Sequence, residues 1–241
     1  MRIGNSLTNY SYSVPGGGSS SSIAIVEWPL VYLGNLIYGQ EICQQGIVCC
    51  HVVNVHSLKL QWVCSLCSCI FKQGRCTRSS EPCPSAVGVF HANTKIIVED
   101  GTAEAWVRCK DEQVADLLQL SSAEWEGLQQ HVVQQGSVYF QYQGRSGHEL
   151  HEENTGDLLM QYLGTVCASP IVCRSIQLAF KVDSRNKRML GQTETFQMRM
   201  LKCGDHQYST KMAPTLSLTC LDIKEVDYRM LCHLGNDRLI Q

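Results

Sequence analysis

Five cysteines lie within twenty residues in the segment CSLCSCIFKQGRCTRSSEPC, which runs from residue 64 to residue 83. Cys64 and Cys67 form a Cys-x-x-Cys pair directly after a predicted strand, and such a pair directs two thiolates at one metal ion. A tetrahedral zinc site needs a second pair, for which Cys76 and Cys83 are the nearest candidates. The sequence therefore predicts a structural Zn2+ held by these four cysteines.

The second cysteine pair fits a zinc ribbon more loosely than the first, because six residues separate its two members. Cys69, Cys43 and His91 therefore stay open as alternative ligands. A redox-active pair is not favoured, because such a pair usually opens a helix in a βαβ unit and neither feature is predicted here.

Catalytic chemistry has little support in the sequence. A catalytic zinc site keeps one coordination position open beside a general base. The segment HELHE at 148–152 offers acidic partners, but it lies in a polar, Gly-rich stretch that we interpret as a solvated loop. No paired carboxylates, nucleophile elbow or phosphate loop are apparent. We therefore expect a chain that is not an enzyme, with a zinc-dependent hydrolase or deaminase as the alternative.

Basic residues are concentrated late in the chain, around the turn KVDSRNKRML at 181–190. A basic loop can clamp a single strand through its phosphates, although an ordinary solvated turn would have the same composition. The candidate nucleic-acid contacts are Lys181, Arg185, Lys187, Arg188, Arg199 and Lys202. The aromatic residues that could stack on bases are Phe90, Tyr139, Phe196 and Tyr208. We expect Trp106 and Trp125 in the barrel and helix cores.

The composition of the 241 residues supports a sizeable core, since 44% are hydrophobic and 17% are charged. A formal net charge of −2 argues against a broad basic surface, so that nucleic acid would bind to a local patch. No apolar run is long enough for a transmembrane helix, and we expect no membrane partner. Fourteen cysteines without an export signal indicate a reducing compartment. The cysteines outside the cluster are expected to be small buried hydrophobes.

The order of predicted elements favours a small closed β-barrel. A Gly/Ser-rich linker ends a short first segment at 1–22, which we interpret as the remnant of a preceding domain, and one domain occupies 23–241 with its ribbon at about 60–90. The predicted elements are a long strand at 46–64, a hairpin at 90–109, two helical segments within 110–135, a loop at 141–157, a strand, basic turn and strand at 175–201, and a last strand and short helix at 216–240.

The end of the chain carries the most specific local match to a known family. The sequence CLDIKEVDYRM at 220–230 contains Asp-x-Lys-x-Val-Asp-Tyr-Arg. Together with the order of elements, it resembles the zinc-bearing OB-fold domain of the large subunit of replication protein A. The ribbon spacing and the cysteine-rich body resemble more closely the C-terminal OB domain of the largest subunit of the CST complex. The resemblance implies a mainly β fold with helices: a five-stranded antiparallel OB barrel with an inserted zinc ribbon and a C-terminal helix.

The same resemblance implies a function. It points to a single-stranded DNA-binding and subunit-assembly module of a nuclear telomere-capping and replication complex, which promotes lagging-strand fill-in and limits telomerase. The implied partners are G-rich telomeric single strands, the two smaller OB-fold subunits and DNA polymerase alpha-primase. Val226, Met230, Leu231 and Leu234 form the helical stripe expected to contact a partner, unless that helix packs on its own barrel. A purely protein-binding scaffold is a further alternative.

Overall fold

The computed structural model describes residues 9–12, 26–38, 43–79, 83–142, 158–183, 197–203, 206–212 and 216–226. The elements in these residues are β1 (Asn9–Tyr12), β2 (Val26–Pro29), α1 (Leu33–Tyr38), β3 (Gln45–Cys64), β4 (Phe71–Lys72), β5 (Arg75–Cys76), β6 (Gly88–Glu99), β7 (Glu104–Lys110), α2 (Glu112–Leu118), α3 (Ser122–Gln135), β8 (Ser137–Gln141), α4 (Leu158–Cys167), β9 (Ser175–Val182), β10 (Gln197–Cys203), β11 (His206–Met212) and β12 (Leu216–Glu225).

Five of these strands close into a barrel. Strand β3 pairs with β6, β6 with β7, β7 with β12, β12 with β9, and β9 returns to β3. This order is that of an OB-fold barrel, and it confirms the predicted fold class. Four pairings are antiparallel, whereas β7 and β12 are parallel. That parallel pair is feasible because the long connection between the two strands carries the chain back to the starting end of the barrel.

Strand β3 makes closure of the barrel feasible because it pairs with two barrel neighbours in turn. Its first half pairs with β9 and its second half with β6, while β8 adds to its free edge. The register with β6 shifts between Val52 and Asn54 and again between Val55 and Ser57. Such bulges bend a strand and increase its twist. The single long strand predicted at 46–64 is therefore confirmed, with the curvature that a small barrel requires.

The barrel interior is filled by alternate residues of its strands. Leu58, Leu60, Ile96, Leu178 and Phe180 are fully buried and belong to one continuous core. The prediction that cysteines outside the cluster are small buried hydrophobes is confirmed at Cys50, Cys109, Cys167 and Cys220, whereas Cys49 and Cys173 are only partly buried. Burial raises the pKa of Cys167 to about 12, so this thiol stays neutral and unreactive.

The prediction that Trp106 lies in the barrel core is wrong. Strand β7 buries Ala105, Val107 and Cys109, so the alternation of the strand places Trp106 and Arg108 on the outer face. The indole is only partly buried there.

Trp125 is placed as predicted, at the core side of α3. Its ring meets that of Phe90 edge to face, with the centroids 5.4 Å apart. Both rings pack against the buried residues of the barrel. Because the Phe90 ring packs against Trp125 and the barrel core, it is less suited to stack on a base.

Helices α2, α3 and α4 lie between β7 and β9 in the chain and pack on the barrel. The two helices predicted within 110–135 are confirmed as α2 and α3, and Ser121 caps α3 in a capping box with Glu124. Helix α4 was not predicted, because its first three residues are all apolar and mask the helical period. No helix in the described part of the chain is long and apolar enough to cross a membrane.

Three predicted features lie outside the described residues. These are most of the polar loop, at 143–157, the basic turn at 184–196, and the C-terminal helix after residue 226. The strand predicted at the end of 175–201 is present as β10, which forms a two-stranded hairpin with β11.

Candidate metal centre and nucleic-acid interface

The four predicted zinc ligands come together at the end of β3. Cys64 Sγ lies 3.6 Å from Cys83 Sγ, and Cys67 Sγ lies 3.3 Å from Cys76 Sγ. All four sulfurs lie within 4.8 Å of one another. Sulfurs bound at about 2.3 Å around a tetrahedral ion are roughly 3.8 Å apart, so the donor set and its spacing fit zinc.

Backbone hydrogen bonds shape the turn that holds the first pair. The Ser68 N–H donates to Cys64 O at 2.9 Å, and the Cys64 N–H donates to Cys69 O at 2.7 Å. Ser68 has a φ of 58°, in the left-handed region, which turns the chain back on itself. The short hairpin of β4 and β5 then brings Cys76 to the same point.

The turn also favours the ionised form of the first thiol. A hydrogen bond from the backbone N–H of Cys67, with help from the Ser85 hydroxyl, lowers the pKa of Cys64 to about 6. A hydrogen bond from the Cys69 N–H likewise lowers the pKa of Cys67. Thiolates are the form in which cysteine binds metals, so this first pair is prepared for a cation. For Cys76 and Cys83 a backbone hydrogen bond also favours the thiolate, but desolvation and the neighbouring Cys64 and Cys67 thiols outweigh it and raise both pKa values.

The three alternative ligands lie outside the four-sulfur group. His91 is on the exposed side of β6, where its Nδ1 is 3.4 Å from Asp111 Oδ1. Cys43 donates to Gln45 O at 3.0 Å, before β3 begins. Cys69 is next to the cluster, but the four sulfurs that converge are those predicted from the spacing of the sequence.

A second group of interacting polar and aromatic side chains lies on the outer face of the barrel. Arg108 of β7 is opposite Lys95 of β6 on one side and Thr219 of β12 on the other, and Thr219 is opposite Lys181 of β9. Three cations therefore occupy one row across four neighbouring strands. We call Lys95, Trp106, Arg108, Asp183, Thr219 and Lys181 the outer-face cluster.

Trp106 anchors one end of this cluster. The Lys95 ammonium lies 3.8 Å from the centroid of the indole ring, a cation–π contact. The His56 ring approaches the indole edge to face, with centroids 4.8 Å apart. The lysine is thus held over the sheet instead of extending freely into solvent.

Asp183 organises the centre of the cluster. Its Oδ2 accepts hydrogen bonds from Arg108 Nη2 at 2.6 Å and from Ser217 Oγ at 3.0 Å, and its Oδ1 accepts from Thr219 Oγ1 at 2.6 Å. This carboxylate follows β9 and crosses β12 to reach β7. It offsets part of the repulsion between Arg108 and Lys95, which face each other directly.

Sequence reasoning found one residue of the outer-face cluster, Lys181, and missed the rest. Arg185, Lys187 and Arg188 lie outside the described residues. Arg199 and Lys202 belong to β10, and the positions of their side chains are not described. The missed residues had a signal in the strict alternation of EAWVRCK in β7, which places one aromatic and one basic residue on the same face.

The proposed stacking residues and partner stripe are only partly described. Tyr139 of β8 is 52% exposed, opposite Lys59 of β3 on the same outer face. Phe196 lies outside the described ranges, as does the side chain of Tyr208. Of the partner stripe, Val226 is buried against its own chain at 7% exposure. Met230, Leu231 and Leu234 lie beyond the described residues.

The fold and the two sites together define an OB-fold protein with an inserted cysteine ribbon. The chain belongs to the family of the CST telomere-maintenance complex subunit CTC1 C-terminal domain, whose family model matches residues 35–225. That description names a subunit of a telomere-maintenance complex.

Individual relatives agree with this assignment. The chain is 36% identical over 197 residues to CST complex subunit CTC1 of Mus musculus and 35% identical over 200 residues to that of Homo sapiens. These matches cover 82% and 83% of the chain but 16% of each relative, so the chain spans about a sixth of their length. The Danio rerio subunit is 38% identical over 185 residues, or 77% of the chain and 15% of the relative.

Solved structures of single-strand complexes also match. A replication protein A heterotrimer bound to ssDNA has a TM-score of 0.41 and 13% identity, over 81% of this chain and 35% of that one. Yeast RPA bound to ssDNA has a TM-score of 0.39 and 12% identity, over 83% of this chain and 87% of that one.

Proposed function

We propose that this chain binds single-stranded DNA across the outer face of its barrel and acts as a zinc-stabilised assembly module of a telomere-maintenance complex. The observation that carries the proposal is the row of Lys95, Arg108 and Lys181 beside Trp106, in which Thr219 of β12 lies between Arg108 and Lys181. A cationic track with an aromatic side chain is the combination that single strands require, because phosphates need positive charge and bases need a flat partner.

A second row on the same face supports this surface as the groove. Tyr139, Lys59, Asn93 and Lys110 lie opposite one another across β8, β3, β6 and β7. Tyr139 is exposed and offers a ring for stacking, and its neighbours offer two more ammonium groups. Because the chain as a whole has a formal charge of −2, this local concentration of cations is what would attract a polyanion. The predicted turn residues Arg185, Lys187 and Arg188, and Arg199 and Lys202 of β10, would extend the track beyond β9.

The four-cysteine cluster is proposed to hold a structural Zn2+. Cys64, Cys67, Cys76 and Cys83 would fill all four tetrahedral positions, which leaves none for a reacting water. When bound, the ion would lock the ribbon against the end of β3, since metal-binding energy in such loops is folding energy. The same complete ligand set disfavours a zinc-dependent hydrolase or deaminase.

The family supports a place for this module in a telomere-maintenance complex. Relatives are described as subunits of the CST complex, and the family as one of telomere maintenance. We therefore propose a nuclear, telomeric protein that binds G-rich single strands and joins the two smaller OB-fold subunits. Through DNA polymerase alpha-primase it would promote lagging-strand fill-in and limit telomerase. The stripe of Val226, Met230, Leu231 and Leu234 is the proposed assembly surface, with Val226 at its buried end.

A salt titration tests the DNA-binding proposal directly. Fluorescence anisotropy of a labelled strand of about 18 nucleotides should show an affinity that falls with salt, with a log–log slope of about 0.7 for each phosphate neutralised. Lys95→Ala and Lys181→Ala should each weaken binding and reduce that slope, without loss of the folded barrel by circular dichroism. Wild-type protein that binds no single strand at low salt would reject this function and favour a protein-binding scaffold.

A further inference from the structure

We infer that Asp183 is a specificity-determining residue: it orients Arg108 so that the guanidinium selects bases with two adjacent hydrogen-bond acceptors, guanine or cytosine. This inference rests on the proposed single-strand binding and assigns a role within it. Asp183 is a positioning residue, because the side chain that would touch the base is that of Arg108.

Burial and hydrogen bonds hold the Asp183 carboxylate in place. The carboxylate is only 14% exposed, although it lies on the outer face of the sheet. It accepts hydrogen bonds from Arg108, Ser217 and Thr219, and its own N–H donates to Ser217 O at 3.1 Å. A carboxylate held by two hydroxyl groups and its own backbone has one orientation. The 2.6 Å bond from Nη2 therefore holds the Arg108 guanidinium close to one position on the sheet.

Arg108 keeps a complete recognition edge despite this bond. A guanidinium has two parallel donor pairs that involve Nη2, one with Nε and one with Nη1. The single bond from Nη2 to Asp183 Oδ2 blocks one of these pairs and leaves the other free. The side chain is 43% exposed, so the free pair is accessible to a ligand.

The free edge matches only some bases. Two parallel N–H donors need two neighbouring acceptors, such as O6 and N7 of guanine. Cytosine offers O2 and N3, whereas every neighbouring pair on adenine and thymine combines an acceptor with a donor. A phosphate also presents two neighbouring acceptors, but it is the same in every nucleotide, so only a contact with a base produces a preference between strands of different sequence.

The negative charge of Asp183 supports a role in selecting bases, because it cannot serve to strengthen binding to phosphates. A carboxylate in a phosphate-binding row weakens the attraction for every strand, whatever its sequence. Its presence in the middle of the cations Lys95, Arg108 and Lys181 thus costs affinity. In return for this loss of affinity, the carboxylate restrains the Arg108 side chain, which would otherwise be flexible.

Competing strands provide the test. The probes are a dT strand of about 18 nucleotides and the same strand with three thymines replaced by guanine, cytosine or adenine, and the readout is the ratio of their Kd values for the full chain. Wild-type protein should bind the guanine or the cytosine strand about tenfold more tightly than dT, within the range for one good bidentate contact. 7-Deazaguanine, which lacks N7, distinguishes the two edges because it abolishes a guanine preference and leaves a cytosine preference.

The variants separate selection from affinity. D183N and R108K should both reduce the ratio to about one, because Asn holds the guanidinium more weakly and Lys has no fork. As a matched control, Lys59→Gln removes a cation from the same face and should weaken all strands equally with the ratio preserved. Equal binding of all four strands by wild-type protein, or an unchanged ratio in D183N or in R108K, overturns this inference alone. Absence of wild-type binding to any strand would instead overturn the proposed function.

Discussion

Cys64 Sγ and Cys83 Sγ lie 3.6 Å apart, although 18 residues separate them in the sequence. Cys64 ends β3 and Cys83 precedes β6, which pairs with β3 from that end. The insertion between the first two barrel strands is therefore closed at its base by two sulfurs. A metal at this point would join the two strands at the position where the insertion leaves the barrel.

Replacing Cys64 or Cys67 by Ser should remove zinc from the protein. A serine oxygen is a poor substitute for a thiolate in a four-sulfur site, so we expect the stoichiometry to fall from one zinc per chain to near zero. The midpoint of thermal unfolding, Tm, should fall with it because metal binding is coupled to folding. Mass spectrometry of the metal content and thermal melts would measure the two effects.

Cys69→Ser is the matched control for these variants. It removes a thiol from the same ribbon but not from the converging group, and we expect full zinc content. Wild-type protein that purifies folded and free of zinc would contradict the metal prediction. A loss of zinc in Cys69→Ser would instead change the ligand set.

Reversing two charges in the basic turn tests how far the DNA track extends. Lys187→Glu combined with Arg188→Glu should weaken single-strand binding and lower the salt slope by about 0.7 for each phosphate that is no longer neutralised. The Gln double variant should give an intermediate affinity, because it removes the attraction without adding repulsion. Affinity and slope equal to those of wild-type protein would confine the groove to the barrel face.

Gly88 and Gly127 should respond in opposite ways to alanine. A Cβ at Gly88 would overlap the indole nitrogen of Trp62, so Gly88→Ala should destabilise by about 1–3 kcal/mol through overpacking. Gly127 is in α3 with open space around it, so Gly127→Ala should stabilise by about 0.5–1 kcal/mol through helix propensity. Urea unfolding would measure both. A neutral Gly88→Ala would show that Trp62 moves aside at little cost.

Deleting residues 230–241 tests the assembly surface. The described barrel ends with Val226, which the deletion retains, so the truncated chain should stay folded and keep its zinc. It should lose co-purification with the middle, OB-fold subunit of the complex, because Met230, Leu231 and Leu234 of the proposed stripe are removed. Unfolding of the whole domain would show that this segment belongs to the core. Retained partner binding would reject the assembly role.

Local patterns in the sequence were sufficient for features that depend on neighbouring residues. The alternation of β-branched residues at 46–64 predicted β3. A serine at 121 or 122, with a glutamate at 124 or 126, predicted the start of α3, and the structure has Ser121 with Glu124. The Cys64–Cys67 pair predicted a metal knuckle because its two members share one turn. The order of such elements, with the motif at 220–230, was enough to indicate an OB fold.

Tertiary structure decided what depends on strand pairing. The outer-face cluster brings Lys95, Arg108, Asp183 and Thr219 together from four parts of the chain. The spacing of these residues in the sequence does not predict that they are close in space. The alternation of β7 indicates from the sequence that Trp106 and Arg108 share a face, and closure of the barrel decided that this face is the outer one. Local patterns are short-range, whereas closure of the barrel sets the register between distant strands, and this register places the charges.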